Sequence, residues 1–431
     1  MPVRLGVIAD DLTGANDTGV QFARQGARTL VPLDWHDLGG LGRRADVLVL
    51  NTNSRALPAD VAARRARVAA EALRKARVEV IYKKIDSTFR GNVGAELEAI
   101  LDVYPAPLAV LAPSFPPAGR AVRDGILTVR GTPVHRTAIG RDPVAPVRES
   151  HLPTMLGRQL RRPIYPLCLA SLRDSASQAA KALKAWREGP PGVVLADAVT
   201  PRDLDRLASL LIREGLIQVV AGSAGLAAAL SAVLPWPHRK RARSPATRGP
   251  VLLVVGSPNP VTLEQVTWVE RRGHASTVRA TIREVVAGGD RFRRELDRVV
   301  GKVQAEIVAG RDTVLTLAQH PASKSRRPLP PSASGALSEF LGRATRLAAR
   351  DAGLGALVLC GGDIAVAACR ALRAEGIELL GEVEPGVPWG QLAGGELPDL
   401  PTVTKAGGFG EAVTFTRAIR FLHRGSPSRR S

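Results

Sequence analysis

The chain has 431 residues, of which 45% are hydrophobic and 23% charged, and its formal net charge at pH 7 is +20. At about 100–200 residues per domain, this length predicts two or three domains with packed cores. No stretch reaches the roughly 20 uninterrupted apolar residues of a membrane span, which excludes a helical membrane protein. The basic charge raises a nucleic-acid-binding protein as one alternative.

The start of the chain and its cysteines both indicate a cytoplasmic protein. From Met1 the sequence passes straight into a strand-like pattern, without the apolar region and cleavage site of a signal peptide. The three cysteines, Cys168, Cys360 and Cys369, lack CxxC spacing, so we expect neither a disulfide framework nor structural zinc.

The first half of the chain alternates short apolar runs with amphipathic segments, which is typical of parallel sheets with crossover helices. The predicted strands are Val3–Ala9, Asp46–Leu50, Val78–Tyr82, Leu108–Ala112, Gly192–Ala196 and Ile217–Ala221. The predicted helices include Ala15–Gln25, Ala59–Lys75, Val93–Val103 and Arg202–Glu214. The pattern predicts one α/β domain over residues 1–234.

A segment rich in proline and charge follows, and we place a linker at residues 235–249. A second alternation predicts another α/β domain over residues 250–424, with a loop at Gln319–Gly335 and a disordered tail at 425–431. Its predicted strands are Val251–Val255, Ser276–Ala280, Thr313–Leu317, Ala356–Cys360, Glu378–Val383 and Thr402–Thr404. We expect two mostly parallel sheets flanked by helices, with the active site in the cleft between the domains.

Polar residues follow the predicted strands of the first domain, where parallel α/β sheets bind ligands. Asp10 and Asp11 follow the first strand and precede a helix start. One of the two can cap that helix. The other is then available to coordinate a metal, to act as a base for a hydroxyl, or to form hydrogen bonds with a polyol. Arg55 ends the polar run NTNSR after the second strand, a run that also suits an ordinary turn.

Two lysines, an aspartate and an arginine converge on the loop after the third strand, KKIDSTFRGN from Lys83 to Asn92. A helix is predicted from Val93, and the unpaired N–H groups of a helix start favour an anion. With these cations, the loop is a candidate site for a small carboxylate or phosphate, an incidental surface loop being the alternative. His135 and His151 are weaker candidates, since isolated histidines are more often structural.

Three glycine-rich turns follow predicted strands of the second domain: Gly256-Ser257, Gly361-Gly362-Asp363 and Lys405-Ala406-Gly407-Gly408. The sequence contains neither GxxxxGK[ST] nor a strand-to-helix GxGxxG, the common nucleotide fingerprints. Glycine turns still hold phosphate, because a bare backbone lets N–H groups approach it. Thr262–Gln265 has capping-box spacing for the next helix. We therefore predict a nucleotide here, facing an anionic, hydroxyl-rich substrate on the first domain, as in a small-molecule kinase.

Seven sequence blocks together resemble the four-carbon acid sugar kinase family. They are IADDLTGANDTG at 8–19, NTNSR at 51–55, KKIDSTFRGNVGAE at 83–96, AGSAGLA at 221–227, GGD at 361–363, GEVEPGVPWG at 381–390 and TKAGGFGE at 404–411. The likeness covers nearly the whole chain in the expected order, and the KKIDS-x-x-RGN and KAGGFG blocks are too long for chance agreement.

The resemblance implies ATP-dependent phosphorylation of the terminal hydroxyl of a four-carbon sugar acid, such as threonate, erythronate or a 3-oxo-tetronate. It implies a substrate-binding amino-terminal domain and a nucleotide-binding carboxyl-terminal domain. By motif it places around the sugar acid Asp11, Arg55, Lys84, Asp86, Ser87 and Arg90, and around ATP Ser257, Gly361, Gly362, Asp363, Gly407 and Gly408. As neighbours in the same loops, we add Asp10, Lys83 and Gly91 to the substrate set and Lys405 to the nucleotide set.

Catalytic roles are assigned within this set to Asp11, Asp86 and Lys84. We expect Arg90 and Lys84 to clamp the substrate carboxylate, while Asp11 or Asp86 accepts the proton of the attacking hydroxyl. Lys405 and the glycine turns would neutralise ATP together with Mg²⁺, whose ligands the sequence does not identify. The choice of base stays open, since a loose phosphoryl transition state needs little base.

Two positions depart from the family pattern. Ile364 follows GGD where a threonine is usual, and Pro258-Asn259-Pro260 follows Ser257. The missing hydroxyl raises the alternative of a weakened kinase homologue that senses a sugar acid. We expect no nucleic-acid or membrane partner, and we allow for a homodimer.

Overall fold

The computed structural model describes residues 5–35, 38, 44–142, 145–174, 176–237, 245–317, 333–350 and 353–424. The chain divides into two compact units, Met1–Lys240 and Arg241–Ser431, and each contains a sheet and helices. The predicted two-domain α/β class is confirmed. The predicted domain bounds and the cleft stay predictions. Part of the predicted linker, most of the Gln319–Gly335 loop and the tail lie outside the described residues.

The first unit contains a parallel sheet and a small antiparallel sheet. Its strands are β1 (Leu5–Ala9), β2 (Thr29–Pro32), β3 (Val47–Asn51), β4 (Val80–Lys84), β5 (Leu108–Ala112), β6 (Arg120–Arg123), β7 (Ile126–Val129), β8 (Thr132–Pro133), β9 (Ile164–Leu167), β10 (Gly192–Ala196) and β11 (Val219–Gly222). The parallel sheet has the order β2-β3-β1-β4-β11-β5-β10-β9, and β6-β7-β8 form a separate three-stranded sheet. Every residue of β1, β5 and β10 is buried, which explains their uninterrupted apolar runs.

Eight helices of the first unit lie within the described residues, and several begin at side chains that cap them. They are α1 (Leu12–Ala23), α2 (Ala59–Lys75), α3 (Val93–Val103), α4 (Leu152–Gly157), α5 (Leu169–Asp174), α6 (Ala176–Arg187), α7 (Pro201–Arg213) and α8 (Ala224–Val233). At α7, Thr200 and Asp203 form a reciprocal capping box, and Pro201 occupies the first helical position. Such local signals explain why the long helices were predicted close to their observed bounds.

The second unit has a mostly parallel sheet with the order β13-β14-β12-β15-β18-β17-β16. Its strands are β12 (Val251–Val255), β13 (Ser276–Arg279), β14 (Thr313–Thr316), β15 (Ala356–Cys360), β16 (Gly376–Glu384), β17 (Val387–Ala393) and β18 (Pro401–Lys405). Its helices are α9 (Pro260–Arg271), α10 (Ile282–Ala287), α11 (Gly289–Val308), α12 (Ala333–Ala349), α13 (Gly362–Ala371) and α14 (Thr414–Arg424). The end of the predicted Gln319–Gly335 loop is wrong, because α12 already includes Ala333 to Gly335.

The antiparallel strand β17 was not predicted. It pairs with β16 on one side and β18 on the other, although Pro388 and Gly390 disfavour a strand by propensity. The core explains its position, because Trp389 packs in one cluster with Phe415 and Phe421 of α14. In the described part of the chain, no helix is long and apolar enough to cross a membrane.

Candidate active site

The loops after β1, β3 and β4 meet at one edge of the first unit's sheet. Strand β1 lies between β3 and β4 in parallel register, so the three carboxyl ends are neighbours. Most of the residues predicted to bind the substrate lie in these loops, and the contacts of each side chain decide what it is free to do.

Arg55 joins the first two of these loops through its guanidinium. Its Nε donates to Oδ2 of Asp10 at 2.7 Å and its Nη2 to Oδ1 at 2.9 Å, while Nη1 lies 2.7 Å from Oδ2 of Asp11. Burial alone would raise the pKa of Asp10, but Arg55 outweighs it and holds that pKa below its usual range. Asp11 also caps α1, since its Oδ1 accepts from the Gly14 N–H at 2.8 Å. Both carboxylates therefore have fixed positions, with Arg55 between them.

Lys83 is enclosed in an internal polar network. Its Nζ lies 2.5 Å from Oε2 of Glu96, and both side chains are only 1% exposed. The other carboxylate oxygen of Glu96 accepts from Ser54 Oγ at 2.6 Å, and that hydroxyl lies 2.7 Å from Thr52 Oγ1. This pairing gives Lys83 a structural role in place of the expected substrate contact.

Lys84 lies beside the start of α1. A Cβ on Gly14 would come within 2.8 Å of Lys84 Nζ, so only a glycine lets the ammonium approach the helix so closely. Its charge acts on two carboxylates, Asp10 and Asp17. Burial raises the pKa of Asp17 despite this lysine. Within the described residues Lys84 Nζ forms neither a hydrogen bond nor an ion pair with a carboxylate, which leaves the ammonium available to a ligand.

Arg90 is held by two carboxylates. Its Nε donates to Oδ2 of Asp86 at 2.8 Å, its Nη2 to Oδ1 of Asp86 at 3.3 Å, and its Nη1 to Oδ2 of Asp142 at 3.1 Å. The Thr88 hydroxyl also donates to Asp86. Burial opposes ionisation of Asp86, but Arg90 and Arg55 hold its pKa well below the usual range. Arg90 is thus already engaged by two carboxylates, and its expected clamp on a substrate carboxylate stays a prediction.

The start of α3 is not the anion site that the sequence predicted. The N–H groups of Gly94 and Ala95 donate to Oε1 of Gln159 at 2.8 and 3.4 Å. A Cβ on Gly94 would lie 2.6 Å from the Gln159 Cβ, so this side chain packs directly on the helix start. The prediction was wrong because a residue distant in sequence supplies the acceptor.

Ser87 and Gly91 lie in the same loop as Asp86. Gly91 has φ of 93°, and a Cβ there would lie 3.3 Å from both Arg55 Cγ and Asp10 Oδ2, so glycine lets the loop pass over that ion pair. Ser87, in the same loop, is half-buried.

The two weaker candidates, His135 and His151, have partners in the protein. His135 Nδ1 lies 2.7 Å from Ser150 Oγ, and His151 Nδ1 lies 2.7 Å from Thr154 Oγ1.

Three charged residues near these loops, Asp17, Arg120 and Asp142, were not among the predicted site residues. Arg120 opens β6 after the proline-rich turn that follows β5, and its charge acts on Asp86 and Arg90. Asp142 could not be recognised from the sequence, because it lies neither in a segment with an apolar period nor directly after a predicted strand. The signal for Arg120 was available, since it too follows the carboxyl end of a strand of the parallel sheet.

The three glycine turns of the second unit also come together, because β15 lies between β12 and β18. A Cβ on Gly407 would lie 2.0 Å from Ser257 Oγ, whereas one on Gly408 would lie 3.4 Å from Asn259 Nδ2. Gly361 has φ of 109°, a conformation that favours glycine. The predicted nucleotide residues thus share one surface, and at Gly407 the backbone has no room for a side chain.

Helix α13 begins at this surface without a side-chain cap. Gly361 precedes it and makes no side-chain hydrogen bond to it. The first N–H groups of a helix lack intrahelical acceptors and favour an anion. Gly362 and Asp363, which form the first turn, are exposed. The helix start is thus suited to a phosphate group.

Lys405 organises the third turn from inside. Its Nζ donates to the carbonyl oxygens of Ala406 at 2.7 Å and Phe409 at 3.0 Å, and it lies 5.5 Å from the centre of the Phe415 ring. Burial lowers the pKa of Lys405. These contacts fold the loop around the ammonium, and the contact of Lys405 with phosphate stays a prediction.

Two side chains of α9 hold the same turn. Thr262 Oγ1 donates to the Gly407 carbonyl at 2.6 Å, and Gln265 Nε2 donates to that of Phe409 at 3.0 Å. The predicted capping box at these positions is wrong, because α9 already begins at Pro260, with Asn259 Oδ1 accepting from the Val261 N–H at 3.0 Å.

Ile364, which departs from the family pattern, is a packing residue. It is buried, and a Cβ on Gly256 would lie 2.5 Å from its Cδ1. Its side chain therefore fills the space between the first two turns. Among the residues that the structure describes, no group of three or more His, Cys, Asp or Glu is placed to hold a metal ion.

Comparison with known proteins agrees with this geometry. Residues 5–230 match the family model of a sugar-binding N-terminal domain, and residues 252–415 that of a nucleotide-binding C-terminal domain. D-threonate kinase of Salmonella typhimurium is 37% identical, covering 97% of this chain and 98% of that protein. D-erythronate kinase of Heliobacterium modesticaldum is 34% identical, covering 96% of each.

More distant proteins share the fold over the same length. 3-oxo-tetronate kinase of Methylobacterium radiotolerans is 29% identical, covering 98% of this chain and 100% of that protein. The crystal structure of Haemophilus influenzae protein HI1011 superposes with a TM-score of 0.78 at 21% identity, covering 97% of this chain and all of that one, 100%. The family models and the identities over nearly the full length show that the chain belongs to the four-carbon acid sugar kinase family.

Proposed function

We propose that this protein is an ATP-dependent kinase that phosphorylates the terminal hydroxyl of a four-carbon sugar acid of the threonate, erythronate or 3-oxo-tetronate class. The observation that carries the proposal is the uncapped start of α13 among three glycine turns, in a chain whose other unit gathers charged side chains at its strand ends. The names of the relatives supply the substrate class.

ATP would bind through backbone groups of the second unit. The first N–H groups of α13 and the bare backbone at Gly407 and Gly408 suit the phosphates, and Ser257 adds a hydroxyl at the same place. Mg²⁺ would arrive with ATP as part of the substrate, which needs only one or two protein carboxylates. Asp363 fits this need, because it is an exposed carboxylate in the first turn of α13. The ion would neutralise charge that develops on the phosphates.

The sugar acid would bind at the strand ends of the first unit. Asp10, Asp11 and Asp86 are held by arginines, so their carboxylate oxygens suit acceptance of hydrogen bonds from substrate hydroxyls. Asp86 is a weak base, because its pKa is held well below the usual range. The two oxygens of Asp11 are already engaged by Arg55 and by the Gly14 N–H.

Asp17 is the stronger candidate for the base. It lies within the electrostatic reach of Lys84 and Asp11, and burial raises its pKa. In the proposed step the terminal O–H bond of the sugar acid breaks, its proton passes to Asp17, and the oxygen forms a bond to the γ-phosphorus. The bond from that phosphorus to the oxygen of ADP breaks. Lys84 would offset the negative charge that gathers at the reacting oxygen.

The test is a coupled ADP-release assay over four-carbon sugar acids of each stereochemistry and their 3-oxo forms. We expect turnover with at least one of them and none with ATP alone. Stabilisation by a sugar acid without ATP consumption would instead favour the sensor alternative. Tight binding to random duplex DNA at physiological salt, with no turnover, would favour the nucleic-acid alternative.

A further inference from the structure

A sugar acid needs a cation for its carboxylate, and most cations of the first unit's loops are already neutralised. Arg55 is paired with Asp10 and Asp11, Lys83 with Glu96, and Arg90 with Asp86 and Asp142. The start of α3 is occupied by Gln159. The question, which rests on the proposed function, is therefore which positive group remains for the substrate.

Arg120 has donors that the protein leaves unused. Its Nη1 donates to the Ala118 carbonyl at 2.5 Å, which fixes one side of the guanidinium. Its Nε is buried and has no hydrogen-bond partner in the described part of the chain. An unsatisfied buried donor is unfavourable, and it becomes favourable when a ligand supplies the acceptor. A carboxylate, with two oxygens in one plane, matches the fork of a guanidinium.

The residues around Arg120 carry more positive than negative charge. Two further guanidinium groups, those of Arg90 and Arg130, lie close enough to act on the charge of Arg120. Arg130 is placed by its loop, since its N–H donates to the Gly119 carbonyl at 2.7 Å. The negative charge here comes from two carboxylates, those of Asp86 and Asp142, and both form ion pairs with Arg90. This corner therefore carries an excess of positive charge that one substrate carboxylate balances.

Lys84 is a second cation without a carboxylate partner among the described residues, and its surroundings differ from those of Arg120. Three carboxylates, those of Asp10, Asp11 and Asp17, lie near it and outnumber the positive charges of Lys84 and Arg55, so the local charge is already negative. A second anion would be repelled there, whereas a hydroxyl would be accepted. An ammonium also lacks the planar pair of donors that a carboxylate prefers.

We propose that Arg120 binds the carboxylate of the sugar acid. The substrate then lies with its acid end at the Arg120 corner and its hydroxyls toward Lys84 and Asp17. Arg120, in place of Arg90, becomes the residue that distinguishes an acid from a polyol.

The test compares Arg120→Ala with Arg123→Ala, a matched control on the same strand whose side chain is exposed. The assay measures KM for the sugar acid, KM for ATP, and kcat/KM for the four-carbon polyol that lacks the carboxylate. We expect Arg120→Ala to raise KM for the acid about 10- to 100-fold. KM for ATP and the activity toward the polyol should stay within about 2-fold, and Arg123→Ala should match the wild type.

Three outcomes separate this inference from the proposed function. An active wild type with an unchanged KM for the acid in Arg120→Ala overturns the role of Arg120 alone. Equal losses for acid and polyol, or a raised KM for ATP, also overturn it, because they indicate a general structural role. A wild type without turnover overturns the proposed function and this inference with it. Should Arg120→Ala fail to fold, Arg120→Gln keeps a donor for Ala118 and must show the same selective loss.

Discussion

The two units present opposite kinds of binding loop. In the first unit, charged side chains hold one another at the strand ends, as in the pairs of Arg55 with Asp10 and of Arg90 with Asp86. In the second unit, the loops are glycine backbone, and the buried ammonium of Lys405 donates to carbonyl oxygens of its own loop. One surface is defined by charge and the other by the absence of side chains.

This difference predicts where each unit is vulnerable. A carboxylate or ammonium in the first unit fixes the position of its partners, so removal of one charge leaves another buried without compensation. In the second unit, Gly407 lies so close to Ser257 that added volume is what this turn cannot accept. Changes of charge should damage the first unit, and changes of size the second.

The largest effect is expected for Lys83→Met. The substitution leaves Glu96 buried and unpaired, and we expect the free energy of unfolding to fall by about 3–5 kcal/mol. Chemical denaturation followed by circular dichroism measures it. Arg67→Met is the matched control, because its pair with Asp102 is at the surface and should contribute about 1 kcal/mol or less.

A double variant sharpens this result. Lys83→Met with Glu96→Leu removes both charges, and we expect it to recover most of the lost stability. A Lys83→Met protein of normal stability with a raised KM for the sugar acid would contradict the structural role and restore the substrate contact.

The next effect is expected for Asp17→Asn, which removes the proposed base. We expect kcat to fall about 100-fold with little change in either KM. Since burial raises the pKa of Asp17, the base form is lost at a higher pH than for an ordinary aspartate. The wild-type rate should therefore decline on the acid side above the usual range of about 4, and this limb should disappear in the variant. An unchanged kcat would exclude Asp17 as the base.

The sequence predicts the parts of the site that local patterns define. Apolar runs mark the buried strands, and the three glycine turns lie at strand ends as expected. The fold class follows from the same alternation, because strands buried on both faces are mostly apolar. Strand β4 is the exception, since it continues through the buried Lys83 and Lys84, which the sequence placed in the loop after it.

The partners of these residues could not be predicted, because they come from distant parts of the chain. Gln159, which accepts a hydrogen bond from the Gly94 N–H, is 65 residues away from that glycine, and Asp142 is 52 residues from Arg90. A cation in a loop looks the same in sequence whether it faces a ligand or an internal carboxylate. Lys83 and Lys84 are adjacent, yet one is paired with Glu96 and the other is not.

In the second unit the clearest effect is expected for Gly407→Ala. The new methyl group would lie 2.0 Å from Ser257 Oγ, so the turn must move. An overpacking cost of about 1–3 kcal/mol, paid when the turn binds ATP, corresponds to a loss of about 5- to 150-fold in kcat/KM for ATP. Gly408→Ala is the control, since its Cβ would lie 3.4 Å from Asn259, and we expect a change within about 3-fold. Equal effects of the two variants would show that space at Gly407 is not the limiting feature.

The smallest effect on activity is expected for Ile364→Thr, which restores the residue usual in the family. The buried side chain would lose contacts with the Gly256 turn and bury a hydroxyl, so we expect the free energy of unfolding to fall by about 1–2 kcal/mol. KM for ATP should stay within about 3-fold, because backbone N–H groups of α13 hold the phosphates whichever side chain follows Asp363. A gain of more than 10-fold in kcat/KM for ATP would instead show that the missing hydroxyl weakens the enzyme. At this position a side chain, and not the backbone alone, would then determine how well the second unit binds ATP.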